Sequence, residues 1–344
     1  MAERTEINTI GEFGLIEKIN DLVVLRNKNT IKGIGDDAAV ILNQREVTVI
    51  STDILNEGIH FDLAYTPLMH LGYKSVVVNV SDIYAMNAIP YQITVSIAIS
   101  NRYSVEAIEE LYKGINLACE MYHVDLVGGD TTSSAKGMFI SVTAIGQTNK
   151  EQIVYRNGAQ VGDLICVTGD LGAAYLGLQL LHREKQVFLE DPNMQPQLND
   201  KHYLIGRFLK PEARKEIINF FANENIIPSA MIDVSDGLSS EVHHICKQSK
   251  TGALIEEANI PIAEITYHTA VELNINPTVC ALSGGEDYEL LFTINPKYLQ
   301  AIENAPFDIR IIGEITNPES GIKLKSKAGT ITNLGGLGWN SFTD

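Results

Sequence analysis

The stretch KGIGDDAAVI, residues 32–41, sets two adjacent carboxylates, Asp36 and Asp37, between glycines and an apolar run. Two carboxylates cannot be carried into an apolar interior beside Ala38, Ala39, Val40 and Ile41 unless something neutralises them. Either a turn leaves both in water or a cation sits between them. The same problem recurs along the chain. Asp53, Asp82, Asp130, Asp233, Asp236, Glu286 and Asp287 all lie where an apolar strand or helix gives way to Gly, Ser or Thr, or inside an apolar run. Each taken alone has an ordinary reading as a turn or helix cap. Asp82 fits that reading least, because KSVVVNVSDIYAM reads as a buried helix and aspartate is poorly placed in a helix interior.

With 344 residues, 45% of them hydrophobic and 20% charged, the chain has the composition of an ordinary globular protein long enough for two domains. Lys plus Arg number 26 against 43 Asp plus Glu, a net charge of −17. That balance argues against nucleic acid or an anionic membrane as a partner. It also means that any bound phosphate needs divalent cations between itself and the protein. Cys119, Cys166, Cys246 and Cys280 are scattered without a C-x-x-C pair, which fits neither a zinc site nor a disulfide framework. The N-terminal MAERTEINTI lacks the apolar core of a signal peptide, and no apolar run reaches membrane-spanning length. Reduced thiols in a cytoplasm are the expectation.

The pattern along the chain predicts an α/β (α+β) protein. EVTVIS reads as a strand, residues 68–86 as a buried helix, and YQITVSIAIS as a strand with period two. Ser104 caps a helix whose apolar positions run from Val105 to Cys119, VDLVGGDTT is a short strand entering a glycine turn, and MFISVTAIGQ is another strand. A polar hinge at 155–163 then separates an N-terminal domain, 1–150, from a C-terminal α/β domain, 151–344. In the latter, LICVTG and AMIDVSDGL each lead a strand toward a helix, and CALSGGEDYELLFTI is a turn feeding a strand. The Pro- and Asn-rich 190–200 segment reads as an exposed loop.

Read together, the carboxylates point to several hard cations with oxygen ligands, Mg2+ foremost, with Ser51 and Thr52 beside Asp53 adding further oxygens. No EF-hand loop is present, and no His or Cys accompanies these positions as zinc requires. There is no P-loop and no protein-kinase signature set, so a bound nucleotide is held through metals and glycine-rich backbone such as Gly128 and Gly129.

The motifs GIGDDAAV, STDILNEGIHF, NVSDIYAMNAIP, LVGGDTT, MIDVSDGLSSEVHHI and SGGEDYELLFT occur in this order, and as a set they resemble the thiamine-monophosphate kinases. That family belongs to a wider ATP-binding superfamily with aminoimidazole ribonucleotide synthetase, selenophosphate synthetase and a hydrogenase maturation protein. The resemblance spans residues 11–342. It implies two α/β domains with the active site in the cleft between them, the N-terminal one pairing with its twin in a homodimer. The implied reaction is transfer of the ATP γ-phosphoryl group to thiamine monophosphate, giving thiamine diphosphate and ADP. By position, the resemblance implies Asp36, Ser51, Thr52, Asp53, Asp82, Asp130, Asp233 and Asp236 as Mg2+ ligands, the aspartates acting catalytically through the metal. It implies Tyr112, Gly129, Asp130, Arg156 and Ser235 as ATP contacts, and His60, Glu286 and Trp339 as substrate contacts. On the residues alone, Tyr112 and Trp339 can equally serve packing, and His60 and Arg156 have structural readings as a core histidine and a hinge ion pair.

Two departures stand out. The chain ends in GWNSFTD where a glycine-aromatic-Asp-His-Phe tail is usual, and Asn87 replaces a glycine after AM. The superfamily relatives fit less well. The first cysteine is Cys119, far from the N-terminal reactive residue of selenophosphate synthetases. The C-terminus lacks the cysteine of the hydrogenase maturation branch, and aminoimidazole ribonucleotide synthetase lacks SGGEDYELLFT. A non-catalytic nucleotide-binding regulator is the alternative from another class, though a pure binder has little use for so many unneutralised carboxylates.

Overall fold

The computed structural model describes residues 30–32, 35–43, 46–100 and 102–336. Trp339 and the tail lie outside them. In the first half of the chain, strands β1 (Thr30–Lys32), β2 (Ala39–Asn43), β3 (Glu46–Asn56), β4 (Ile89–Ile99), β5 (Asp125–Ser133) and β6 (Phe139–Asn149) form one sheet in the order β1-β2-β3-β6-β4-β5. All its pairings are antiparallel except β4 with β5. Helices α1 (Leu68–Ala85) and α2 (Val105–Tyr122) cover one face. Nearly all of α1 is buried, which is why its sequence is apolar all round rather than striped. The two helices approach closely through glycine. A Cβ on Gly72 would lie 1.9 Å from the Leu111 carbonyl oxygen, and one on Gly114 1.8 Å from that of Met69. Ser104 caps α2 by accepting the Ala107 N–H, as its sequence predicts.

The opposite face of this sheet has no cover among the described residues. Along β3, Val47, Val49 and Leu55 point into the core, while Thr52 and Ile54 are exposed.

The second half carries a seven-stranded mixed sheet in the order β13-β12-β9-β11-β7-β10-β8. Its strands are β7 (Leu164–Thr168), β8 (Ala230–Asp233), β9 (Gly252–Glu256), β10 (Leu290–Ile294), β11 (Ile309–Thr316), β12 (Ile322–Lys325) and β13 (Ile331–Asn333). The accompanying helices are α3 (Ala173–Glu190), α4 (His202–Leu209), α5 (Lys215–Glu224), α6 (Leu238–Ser249), α7 (Glu264–Glu272), α8 (Pro277–Ser283) and α9 (Leu299–Glu303). Strands β7, β8 and β10 are almost wholly buried and read as continuous apolar runs.

The two halves share one core. Tyr84, Met86 and Val154 belong to the same apolar cluster as Ile217, Phe221, Met231 and Phe292. The 155–163 segment, read as a polar hinge, is bonded into this structure. The Tyr155 carbonyl accepts the Met231 N–H at 3.0 Å, and Ser249 Oγ accepts the Gly158 and Ala159 N–H groups at 3.1 Å each. Two further elements differ from the sequence reading. Gly128, Gly129 and Asp130 lie within the edge strand β5 and not in a turn, because parallel pairing with β4 extends past them after a register shift at Ile93/Thr94. CALS closes helix α8, started by Pro277 and capped by Asn276, so the turn begins only at Gly284.

Candidate active site

Three carboxylates from three distant elements meet between the halves. Asp37 comes from the turn before β2, Asp82 from the last third of α1, and Asp233 from the end of β8; one oxygen of each lies within 4.8 Å of the others. Asp37 and Asp233 are buried and Asp82 is partly so. Hydroxyl donors hold two of them. Ser51 on β3 donates to Asp82 Oδ2, and Ser81 on α1 donates to Asp233 Oδ2 at 2.6 Å, a bond that ties the first half of the chain to the second. Asn79 Oδ1, one turn earlier on α1, accepts the Asp53 backbone N–H at 3.0 Å.

The adjacent Asp36 and Asp37 divide their tasks. Asp37 joins the trio; its Oδ1 pairs with the Arg156 guanidinium, and its Oδ2 is buried without a hydrogen-bond partner among the described residues. Asp36, its side chain fully shielded, accepts the Arg156 backbone N–H at 3.2 Å and pairs with Lys32 at 3.6 Å. Thus the opening pair of carboxylates is neutralised partly by Arg156 and Lys32, with one buried oxygen left over.

Electrostatics records the strain of this arrangement. Burial, then the charges of Asp53, Asp233 and Asp37, hold the Asp82 carboxyl well above the usual carboxylate range. Burial and then Asp37 push Asp233 up to about 7, against the lowering effect of Ser81 and Arg156. Asp36 rises to about 6, chiefly through burial and then Asp37. Carboxylates that repel and desolvate one another in this way release free energy when a cation enters. The all-oxygen donor set, together with the orphaned Asp37 Oδ2, fits a hard divalent ion such as Mg2+.

The other sequence-selected residues are placed as follows. Ser51 and Asp53 lie on the trio's side of β3, with Asp53 close enough to raise both Asp82 and Asp233. Thr52 turns its hydroxyl to the opposite, open face, donating to the Val142 carbonyl and accepting from Thr143, both at 3.0 Å. Gly129 and Asp130 are exposed on the edge strand, where Asp130 Oδ1 accepts the Thr131 N–H at 2.9 Å. Gly129 has φ +157°, and a Cβ there would lie 1.8 Å from the Val95 carbonyl oxygen, so only glycine fits. Tyr112 is half-buried against the core. His60 Nδ1 accepts the Asn56 N–H at 3.0 Å in the loop after β3. Ser235 and Asp236 form the turn between β8 and α6, and both donate their backbone N–H to Glu241 Oε1, at 3.3 and 2.8 Å. Glu286 receives Lys74 Nζ at 2.9 Å.

Sequence reasoning passed over Lys74, Ser81 and Glu241. Glu241 is 1% exposed and Lys74 3%. A charged side chain inside the apolar run GYKSVVVNV was the available signal for Lys74.

Two mixed α/β halves that bring a carboxylate trio together define a class of two-part α/β proteins. Residues 35–148 of the chain match the family model of AIR synthase related protein, N-terminal domain. A thiamine-monophosphate kinase from Buchnera aphidicola subsp. Schizaphis graminum (strain Sg) is 40% identical over 319 residues, 91% of this chain and 93% of that protein. The thiamine-monophosphate kinase of Bacillus subtilis (strain 168) is 35% identical over 288 residues, 83% of each chain. The solved structure of AaThiL complexed with AMPPCP and TMP superposes with a TM-score of 0.83 at 30% identity, covering 98% of this chain and 99% of that one. The chain belongs to the thiamine-monophosphate kinase family.

Proposed function

We propose that this chain transfers the γ-phosphoryl group of ATP directly and in line to the phosphate of thiamine monophosphate, releasing thiamine diphosphate and ADP. The observation that carries the proposal is the Asp37–Asp82–Asp233 trio, built from both halves of the chain, in which Arg156 is the one ion-paired cation among the described residues. The similarity to proteins of that name, and to a complex with an ATP analogue and TMP, supports the same substrates here.

The chemistry asks little of a base. A phosphate monoester has its second pKa near ~6, so the nucleophilic oxygen is already ionised at neutral pH. The barrier is repulsion between phosphates in an acidic cleft. Mg2+ ions, several of them, held by Asp37, Asp82 and Asp233 with Asp36, Ser51, the main-chain carbonyl of Thr52, Asp53, Asp130 and Asp236 as further candidate ligands, would screen that repulsion. Arg156 holds Asp36 and Asp37 in place through an ion pair to each and a backbone hydrogen bond to Asp36. In this reading Tyr112, Gly129, Asp130, Arg156 and Ser235 contact the nucleotide. His60, Glu286 and Trp339 contact the acceptor, with the Glu286 carboxylate facing its cationic ring.

Residues 1–150 and 151–344 serve as the two domains, each half supplying its own sheet. The open face of the first sheet, with Ile54 at 60%, Val127 at 58% and Phe139 at 38% exposure, supports a homodimer formed through it. Four cysteines without a disulfide suit a cytoplasmic protein.

The proposal is tested by incubating the purified chain with MgATP and thiamine monophosphate, free thiamine or no acceptor, with products identified by mass spectrometry. Thiamine diphosphate from the monophosphate alone is expected. Its absence from a folded protein that binds MgATP would favour a nucleotide-binding regulator.

A further inference from the structure

Helix α1 has two formally charged side chains, Lys74 and Asp82. Eight positions separate them, about 12 Å along the helix axis. Asp82 enters the carboxylate trio, whereas Lys74 crosses to the second half of the chain. Its ammonium donates to Glu286 Oε2 at 2.9 Å and lies 4.0 Å from the centroid of the Phe208 ring. Lys74 is 3% exposed, among leucines, valines and a tyrosine of the same helix. A methionine would fill such a place without desolvating an ammonium, so packing alone does not account for a lysine here.

The backbone at Glu286 is already fixed. Glu286 and Tyr288 both adopt the left-handed region, with φ +59° and +53°. The Glu286 N–H donates to the Ser235 carbonyl at 2.6 Å and the Tyr288 N–H to that of Val234 at 2.9 Å. Between them, buried Asp287 accepts the Gly172 N–H at 2.8 Å, and Arg207 donates to the Asp287 carbonyl at 3.2 Å. The freedom left is in the Glu286 side chain, whose one polar partner among the described residues is Lys74.

We propose that Lys74 is a positioning residue for the acceptor: it holds one carboxylate oxygen of Glu286 so that the other is presented to a fixed positive charge on the acceptor ring. This rests on the reading of Glu286 as an acceptor contact. Lys74 itself stays out of the cleft, its charge balanced by Glu286 and the Phe208 face, so it does not repel the incoming cation.

The test uses the full chain and four variants, K74M, K74R, E286Q and K74M/E286Q. KM for thiamine monophosphate is measured at saturating MgATP, and KM for ATP at saturating acceptor, alongside the thermal midpoint of each variant. K74M and E286Q are each expected to raise the acceptor KM about tenfold or more, the usual loss for a charge-assisted hydrogen bond. The kcat and the KM for ATP should stay within about twofold. The double variant should be no worse than E286Q alone, since both substitutions remove one interaction. K74R keeps the cation, is expected to fold, and should stay within about threefold of the parent in acceptor KM. If E286Q leaves the acceptor KM unchanged, the acceptor-site reading of Glu286 fails. If E286Q raises it while K74M does not, or the two effects multiply in the double variant, that reading stands and the role of Lys74 is refuted. A tenfold rise in K74R refutes that role equally, even where K74M does not fold.

Discussion

Replacing Asp82 by Asn should make the metal-free protein more stable while abolishing turnover. The magnitude follows from the trio's geometry. Asp82 has two carboxylate neighbours within 4.8 Å, each repelling it by about 3.5 kcal/mol at an effective dielectric constant of ~20, or about 7 kcal/mol together. The alternative is to protonate one carboxyl. At about pH 7.5, protonating a group with an unfolded pKa near 3.9 costs about 5 kcal/mol. Protonation is therefore the cheaper way out, and its cost sets the upper bound on what Asn relieves. Relaxation and water reduce it, leaving an expected gain of roughly 1–3 kcal/mol, or about 3–8 °C in thermal midpoint. The sign of the pH dependence is also fixed. These carboxyls have raised pKa values in the folded state, so their protonated forms favour folding at acidic pH and that contribution is lost as pH rises toward about 7. At about pH 5 protonation costs only about 1.5 kcal/mol, so the advantage of Asn should shrink accordingly. The assay is thermal unfolding of parent and D82N in excess chelator at both pH values, then with Mg2+ restored. A variant no more stable than its parent near pH 7.5, or a gain that does not shrink at pH 5, would refute the reasoning.

Arg156→Met leaves Asp36 and Asp37 without their main counter-ion and should cost about 3–5 kcal/mol in chelator, partly recovered by Mg2+; chemical denaturation with and without the metal reads both. Gly114→Ala forces a Cβ onto the Met69 carbonyl, so α1 and α2 must separate at a cost of about 1–3 kcal/mol. Urea unfolding checks this, and an unchanged midpoint would mean the helices have room. Ile54→Lys places charges on the open sheet face and should turn a dimer into a monomer by light scattering, whereas an undisturbed dimer would put the interface elsewhere.

Much of the fold is readable from local pattern. The 68–86 stretch becomes the helix Leu68–Ala85, Ser104 caps the next helix, and the apolar runs near 164 and 230 become buried strands. Asp82 is legible because a lone carboxylate inside an apolar helix demands an explanation. What local pattern cannot supply is the partner from afar. Asp36 and Asp37 are neighbours of identical chemistry, and nothing local tells that Asp37 meets Asp82 and Asp233 while Asp36 takes the Arg156 backbone N–H, about 120 positions away. The GGD segment has turn composition, yet parallel pairing with β4 draws it into a strand, with Gly129 needed for the close approach of Val95. Lys74 is visible as a charge inside an apolar run, but its partner appears only when residue 286 arrives beside it.

The central claim is that the trio gathers the metal at which the two phosphates meet. Its most direct test is anomalous scattering from crystals grown with Mn2+, a non-hydrolysable ATP analogue and thiamine monophosphate. The account predicts a metal peak within about 2.0–2.3 Å of oxygens from Asp37, Asp82 and Asp233, with phosphate oxygens completing its coordination. Metal peaks that sit only at Asp130 or elsewhere on the surface, with the trio left empty beside bound nucleotide, would contradict it.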